Sequence, residues 1–379
     1  RITFLSGAAT SNVVGATANV LLECDEAQDV LIEKWDRDFA PMAAATNATR
    51  VFYGTAWTAE TLLGRVRRTA LQSQELDGFQ RVFMLTADEV AAEVPAYGRF
   101  VAEQVQRLGR NHPMIRSQYY SEEINVNGGM FSVQRLQLMH GNHPAQTEPQ
   151  EAAIYVFCLD VGGYALLTTT EAAENKKEDA DASALTIFQI ELNHEDVSFV
   201  HDRVYRVVWR ALWQGIGQQE LYSKVVSLAE YWNPHYLVVD ASGIGAGLAE
   251  HLKRKLGRRV IPFIFTQKSK SKLGWDFLAL VESGKYKEYI SEDSQLCQLQ
   301  ELFFRQAQFC QMEVGAGLEH PLHWGVPQGG RDPQANRLLH DDLLISAALC
   351  AVLEEMPLGE AASAIIRAED PLGWCKEVI

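Results

Sequence analysis

The sequence predicts an α/β protein whose centre is a mixed sheet flanked by helices, and two observations carry that expectation. From residue 151 onward, apolar runs of strand length alternate with helical patterns, the mark of a sheet covered on both faces. In addition, three apolar runs have acids at their ends. Asp160 closes Ala152–Asp160, Asp240 closes Tyr236–Asp240, and Asp341 and Asp342 open Leu343–Val352. A carboxylate at the edge of a buried element is costly unless something there uses its charge.

The totals bound the function classes. At 379 residues, 47% hydrophobic and 22% charged, the chain has the composition of a globular protein with room for two domains. No apolar stretch approaches the roughly 20 residues that span a bilayer, and Arg1–Ala9 is too short for the apolar core of a signal peptide. A cytoplasmic location and no membrane partner are therefore expected. The six cysteines are scattered with no CxxC pair, which disfavours a zinc site and a disulfide framework. A net charge of −15 argues against indiscriminate coating of DNA. The charge is uneven, however: His251–Arg259 and Lys268–Lys272 are basic, whereas Glu171–Asp181 and the Glu354–Glu360 region carry much of the acid.

In order along the chain, Ala18–Glu26 and Thr49–Gly54 read as strands, the first ending in Asp25-Glu26, with a short helix at Val30–Phe39 between them. Glu60–Leu71 and Ala87–Leu108 are helical, with Asp88 and Glu89 suited to an N-terminus. Residues 111–150, rich in Gly, Pro, Asn and Gln, read as a connector. Strands come next at Ile154–Asp160, Ala165–Thr170, Thr186–Leu192 and Val204–Arg210, with Glu171–Asp181 as a polar insert. Then come helix Glu220–Trp232, strand Tyr236–Asp240, helix Gly247–Leu256 and strand Val260–Phe265. Helices Asp276–Ser283, Gln295–Gln308 and Asp341–Glu355 complete the domain 151–356, and 357–379 is a C-terminal tail.

Two strand-borne carboxylates joined by one from a late helix follow the logic of an RNase H-like active site. Mutually repelling acids on one sheet are stabilised by divalent cations. Asp160, Asp240, Asp342 and the adjacent Asp341 are thus the candidate ligands of two Mg²⁺ or Mn²⁺ ions, hard cations that prefer oxygen donors. The ions would activate water for phosphodiester hydrolysis. The alternative is that each Asp merely caps an element, for which Asp341 at a helix start is well suited. The sequence leaves open which of Asp341 and Asp342 binds metal. Lys253, Arg254, Lys255, Arg258 and Arg259, just beyond Asp240, are candidate contacts to DNA phosphates. Gly243, Gly245 and Gly247 follow a strand and precede a helix like a dinucleotide fingerprint. The carboxylate of Asp240 would repel a bare phosphate there, so a tight strand-to-helix turn is the preferred reading.

The chain resembles the large terminase subunit of tailed bacteriophages. The residues that carry the resemblance are Leu21–Gln28 (LLECDEAQ), Tyr53–Ala56 (YGTA), Asn111–Tyr119 (NHPMIRSQY), Asn127–Phe131 (NGGMF), Phe157–Gly163 (FCLDVGG), Leu237–Gly247 (LVVDASGIGAG) and His340–Leu349 (HDDLLISAAL). The resemblance implies a P-loop ATPase α/β domain followed by an RNase H-like nuclease that cuts concatemeric double-stranded DNA. It implies that Asp25 is the Walker B acid holding Mg²⁺, that Glu26 polarises the water attacking the γ-phosphate, and that Thr55, in Gly54-Thr55-Ala56, belongs to the motif coupling hydrolysis to DNA movement. It implies a portal protein and a small terminase subunit as partners, in the cytoplasm of an infected or lysogenic bacterial host. The chain departs from the family in having no GxxxxGK[ST]. Residues 1–110 are therefore expected to be a partial ATPase domain, without ATPase activity in this chain alone. Other RNase H-like enzymes, such as a junction resolvase or a transposase, and a non-catalytic assembly component remain as alternatives.

Overall fold

The computed structural model describes residues 2–8, 10–13, 15–124, 129–162, 182–193, 202–315, 321–331 and 338–357. The expected strand Ala165–Thr170, the insert Glu171–Asp181 and the tail beyond Pro357 lie outside them.

In the N-terminal part, strands β1 (Leu21–Cys24) and β2 (Thr49–Phe52) pair in parallel. The short helix expected between them is mixed: α1 (Ile32–Lys34) runs into a π-helical turn, Trp35–Phe39, and a 3-10 turn, Ala40–Ala43. Trp35, Phe39, Met42 and Leu62 form a small core of their own with Cys24 and Ala27. Helix α2 (Leu62–Asp77) starts where the Thr61 side chain accepts from Gly64 N–H, and it ends at left-handed Gly78. The expected helix Ala87–Leu108 is two, α3 (Ala87–Glu93) and α4 (Pro95–Leu108), because Pro95 cannot continue a helix but can start one. Thr86 and Glu89 close a capping box at the start of α3.

Residues 111–150 carry α5 (Pro113–Tyr120), α6 (Val133–Met139) and strand β3 (His140–Pro144). They are tied to the C-terminal half of the chain by Glu282, which receives both Arg116 at 2.7 Å and Arg135 at 2.6 Å. Met130, Phe131 and Met139 also enter the main core.

Among the described residues the main sheet has seven strands. Strands β4 (Ile154–Asp160), β5 (Ala182–Asn193) and β6 (Asp202–Gln214) form an antiparallel meander, and β7 (Tyr236–Asp240) and β8 (Val260–Phe263) add in parallel on the far side of β4. Strand β9 (Tyr286–Ile290) joins β6, and β3 joins β9, giving the order β3-β9-β6-β5-β4-β7-β8 with only β5 running opposite to the rest. Three antiparallel strands followed by two parallel ones is the RNase H-like arrangement.

Period-two alternation sorts β4 between two cores. Tyr155, Phe157 and Leu159 face α7 (Gln218–Trp232) and α8 (Gly245–Leu256). Val156 and Cys158 face the opposite layer, built from α9 (Gln267–Glu282), α10 (Ser294–Phe309) and α11 (Asp342–Ala348). Helix α11 continues as a 3-10 turn through Glu355.

Several elements differ from the sequence expectation. Helix α9 begins at Gln267 rather than Asp276, because Thr266 and Ser269 close a reciprocal cap and bring Lys268–Lys272 into its first turns. Strand β8 stops at Phe263, where the chain turns toward that cap. Strands β3 and β9 and the hairpin β10 (Gln311–Val314) with β11 (Leu322–Gly325) had no expected counterpart. Five cysteines are free among the described residues, and all but Cys297 are buried. Burial raises the thiols of Cys158 and Cys350 well above the usual range, as expected of small core residues.

Candidate active site

Parity places the two strand-borne acids. Asp160 shares its face with Val156 and Cys158, and Asp240 shares its face with Val238, so both lie on the side of the sheet that α11 covers. The register pairs Leu159 with Val239, which leaves Asp160 and Asp240 as neighbours at the carboxyl ends of adjacent parallel strands. Helix α11 is anchored across β4 and β5 by Ser346, whose buried hydroxyl lies 2.8 Å from the Cys158 carbonyl and 2.9 Å from Thr186 Oγ1. The anchor holds α11 against β4 and β5, with Asp341 and Asp342 at its start acting on Asp160.

The capping alternative for Asp341 does not hold. Asp341 occupies the N-cap, but its side chain accepts no capping hydrogen bond. Buried Gln306 on α10 does that work, accepting from Leu344 N–H at 3.0 Å, so the Asp341 carboxylate is not consumed by the helix end. No such signal could be read from the sequence, because Gln306 reaches α11 only through the fold.

The other three carboxylates bear on Asp160. Burial, and then the carboxylates of Asp342, Asp240 and Asp341 in that order, hold the Asp160 carboxyl well above the usual range, while Lys270 pulls it back. Burial also raises Asp240, against hydrogen bonds from Ser242, whose N–H donates to Asp240 Oδ1 at 2.8 Å. These four aspartates are the residues that could hold a metal. Their donor set, all carboxylate oxygen, matches the hard divalent ions. Among the described residues, no group of three His, Cys, Asp or Glu side chains stands close enough to hold an ion.

The glycine-rich turn after Asp240 is explained by sterics. Gly243 has φ +49°, and a Cβ on Gly245 would stand 2.2 Å from the Asp240 carbonyl oxygen. The turn is a tight strand-to-helix connection that also fixes the backbone of Asp240.

The basic residues read as DNA contacts lie elsewhere. Lys253, Arg254 and Lys255 form the last turn of α8, and Arg258 and Arg259 the 3-10 turn after it. That end is the far end of α8 from Gly245, a separation of about 18 Å along the helix axis. Arg254 pairs with Glu250, Lys255 with Glu230, and Arg259 donates to Asn233. A different cation reaches the acids: Lys270, on the early turns of α9. The Lys-rich run was visible in the sequence, but the start of α9 that aims it was not.

In the N-terminal part, the carboxyl ends of β1 and β2 bring Asp25, Glu26 and Thr55 together. Glu26 adopts a left-handed backbone (φ +47°). Gln28 bridges the two strand ends, donating to Glu26 Oε2 at 2.6 Å and accepting from Thr55 N–H at 3.1 Å.

Residues 193–294 match the family model described as the terminase RNaseH-like domain. The match spans β6 to β9, with Asp240 and Lys270 inside it. No curated protein matches the chain. Among solved structures, the large terminase nuclease from thermophilic phage G20c with bound magnesium is 16% identical, with 60% of this chain and 98% of that chain covered at a TM-score of 0.40. The nuclease domain of the Thermus phage P74-26 large terminase is 14% identical, with 59% and 95% covered at 0.38. A large terminase from another thermophilic bacteriophage, in complex with ADP, is 13% identical, with 91% and 71% covered at 0.43. Residues 193–294 of this chain thus resemble the terminase RNaseH-like domain.

Proposed function

We propose that the chain is the endonuclease of a phage DNA-packaging terminase, cutting concatemeric double-stranded DNA with Mg²⁺ or Mn²⁺, and that residues 1–110 are part of its ATPase domain. The observation that carries this reading is that Asp160 and Asp240 end adjacent parallel strands, with Asp341 and Asp342, at the start of a helix packed on β4 and β5, acting on Asp160.

The chain's own residues do the positioning. Short side chains at the ends of two paired strands have little freedom, Ser242 N–H fixes one oxygen of Asp240, and Ser346 and Gln306 hold α11 without using the Asp341 carboxylate. Divalent ions held by Asp160, Asp240, Asp342 and Asp341 would supply activation of a water and stabilisation of the leaving 3′ oxygen. Hydrolysis breaks the P–O3′ bond, leaving a 5′-phosphate and a 3′-hydroxyl. Contacts of this kind read the backbone rather than the bases, so cutting is largely independent of sequence.

In the N-terminal part, Asp25 would hold the Mg²⁺ of ATP, Glu26 would polarise the attacking water and Thr55 would couple hydrolysis to DNA movement. A portal protein and a small terminase subunit are the partners this role implies, in the cytoplasm of the bacterial host. Titration with Mn²⁺ followed by electron paramagnetic resonance tests the metal site: the protein should bind Mn²⁺, and Asp160→Asn or Asp240→Asn should abolish it. Binding that survives both substitutions would rule out the site.

A further inference from the structure

We propose that Lys270 is the phosphate-contacting cation of this site, a point charge that faces the carboxylates while DNA is absent and the scissile phosphate when DNA is bound. The inference rests on the nuclease reading above and adds to it a residue outside the acidic set.

Lys270 is placed by the hairpin β10–β11. Its carbonyl accepts from the Trp324 indole N–H at 2.7 Å, and its Nζ lies 5.6 Å from the centroid of the Trp324 ring. Ser271, its neighbour, binds the same hairpin through Leu322 N–H at 2.8 Å. A Cβ cannot stand where indole and helix meet: one on Gly274 would be 2.4 Å from the Trp324 ring nitrogen. The lysine is therefore locked at its backbone and against an aromatic wall, and only its end can choose a partner.

That end lies at the acids. A Cβ on Gly325 would fall 2.7 Å from Asp341 Oδ2 and 3.7 Å from Lys270 Nζ, so the bare glycine, at φ +148°, keeps open the space between the carboxylate and the ammonium. The same two groups act on the Cys310 thiol, which burial and Asp341 push up to about 12 while Lys270 opposes them. Yet Lys270 closes no ion pair among the described residues, in contrast to Lys272 two positions on, which binds Asp276 at 2.6 Å and Glu355 at 3.1 Å. A half-buried ammonium near the Asp160 and Asp341 carboxylates, paired with neither, is poised for a mobile anion. A phosphate diester is the anion this reaction brings, and lysine serves phosphate as a compact point charge.

The test compares the full chain with Lys270→Met and Lys270→Arg, reading Mn²⁺ affinity, melting temperature and single-turnover plasmid cleavage at saturating Mn²⁺. Lys270→Met should slow cleavage roughly 100-fold, the usual effect of losing one charge-stabilising donor. It should bind Mn²⁺ as tightly as the wild type or more tightly, since a competing positive charge is gone, and it should keep its melting temperature. Lys270→Arg should recover most of the rate. Cleavage by Lys270→Met at the wild-type rate overturns the assignment alone. A loss of cleavage that comes with weakened Mn²⁺ binding or a lowered melting temperature makes the lysine structural and overturns it too. A wild-type chain that neither binds Mn²⁺ nor cuts overturns the nuclease reading, and the assignment falls with it.

Discussion

Asp160→Asn in the metal-free protein should stabilise the fold while destroying the activity. Adjacent strands run about 4.8 Å apart, and two unit charges at that spacing repel by roughly 3 kcal/mol at an effective dielectric constant of about 20. Asp342 and Asp341 act on Asp160 in the same sense as Asp240, and burial adds to them. Proton uptake by Asp160 relieves part of this cost, leaving a net gain on neutralisation of about 1–3 kcal/mol. At about 2–4 °C per kcal/mol for a domain of this size, the melting temperature should rise by roughly 2–12 °C. The sign with pH is fixed by the raised carboxyl. Below the ordinary carboxylate range, folded and unfolded states are both protonated and the cost is absent. It grows as pH rises past the unfolded value toward the raised folded one. Calorimetry in EDTA at pH 7.5 and pH 4.5 should thus show a clear gain at the higher pH and little at the lower, and Mn²⁺ should stabilise the wild type but not the variant. A variant that melts at or below the wild type at pH 7.5, or gains equally at both, would refute the reasoning.

Four further substitutions probe the supports of the site. Ser346→Ala removes both hydrogen bonds between α11 and the sheet and should cost about 1–3 kcal/mol in denaturant unfolding, with a larger fractional loss of cleavage than of stability. Gln306→Leu strips Leu344 N–H of its acceptor; the Asp341 side chain should then be drawn into capping, with Mn²⁺ affinity falling by calorimetric titration. Gly325→Ala would put a methyl 2.7 Å from Asp341 Oδ2 at a left-handed backbone, and plasmid cleavage should fall at least tenfold in a protein whose far-ultraviolet circular dichroism is unchanged. Glu288→Gln breaks the fully buried pair with Arg210, 2.7 Å apart between β6 and β9, and should destabilise by about 3–5 kcal/mol with no change in the cleavage rate of the molecules that remain folded.

What was legible in the sequence was what depends on local pattern. The apolar runs ending at Asp160 and Asp240 became strands with the bounds expected of them, because a buried central strand is a continuous hydrophobic run and its end is marked by the acid itself. Asp341 and Asp342 at the start of the last long helix were legible for the same reason. The missed elements share a cause. Strand β9 (YKEYI) carries Glu288, a charge that only the partner Arg210 on β6 makes tolerable in a sheet, and edge strand β3 (HGNHP) has almost no apolar residue. Helix α9 was read short because its first turns are polar, their start fixed by the Thr266–Ser269 cap rather than by periodicity. Proximity in sequence does not fix position: Lys253–Arg259 follow Asp240 closely, but lie at the far end of the helix that begins there, whereas Lys270, thirty positions on, lies near Asp160 and Asp341.

The most direct test is cleavage of supercoiled plasmid by the purified chain with Mn²⁺ or Mg²⁺, beside Asp160→Asn, Asp240→Asn and an EDTA control. Nicking and linearisation by the wild type, absent from both variants and from EDTA, is the predicted result. Plasmid left intact across a wide range of protein concentration, or cut equally by the variants, would contradict a metal-dependent nuclease built on these aspartates.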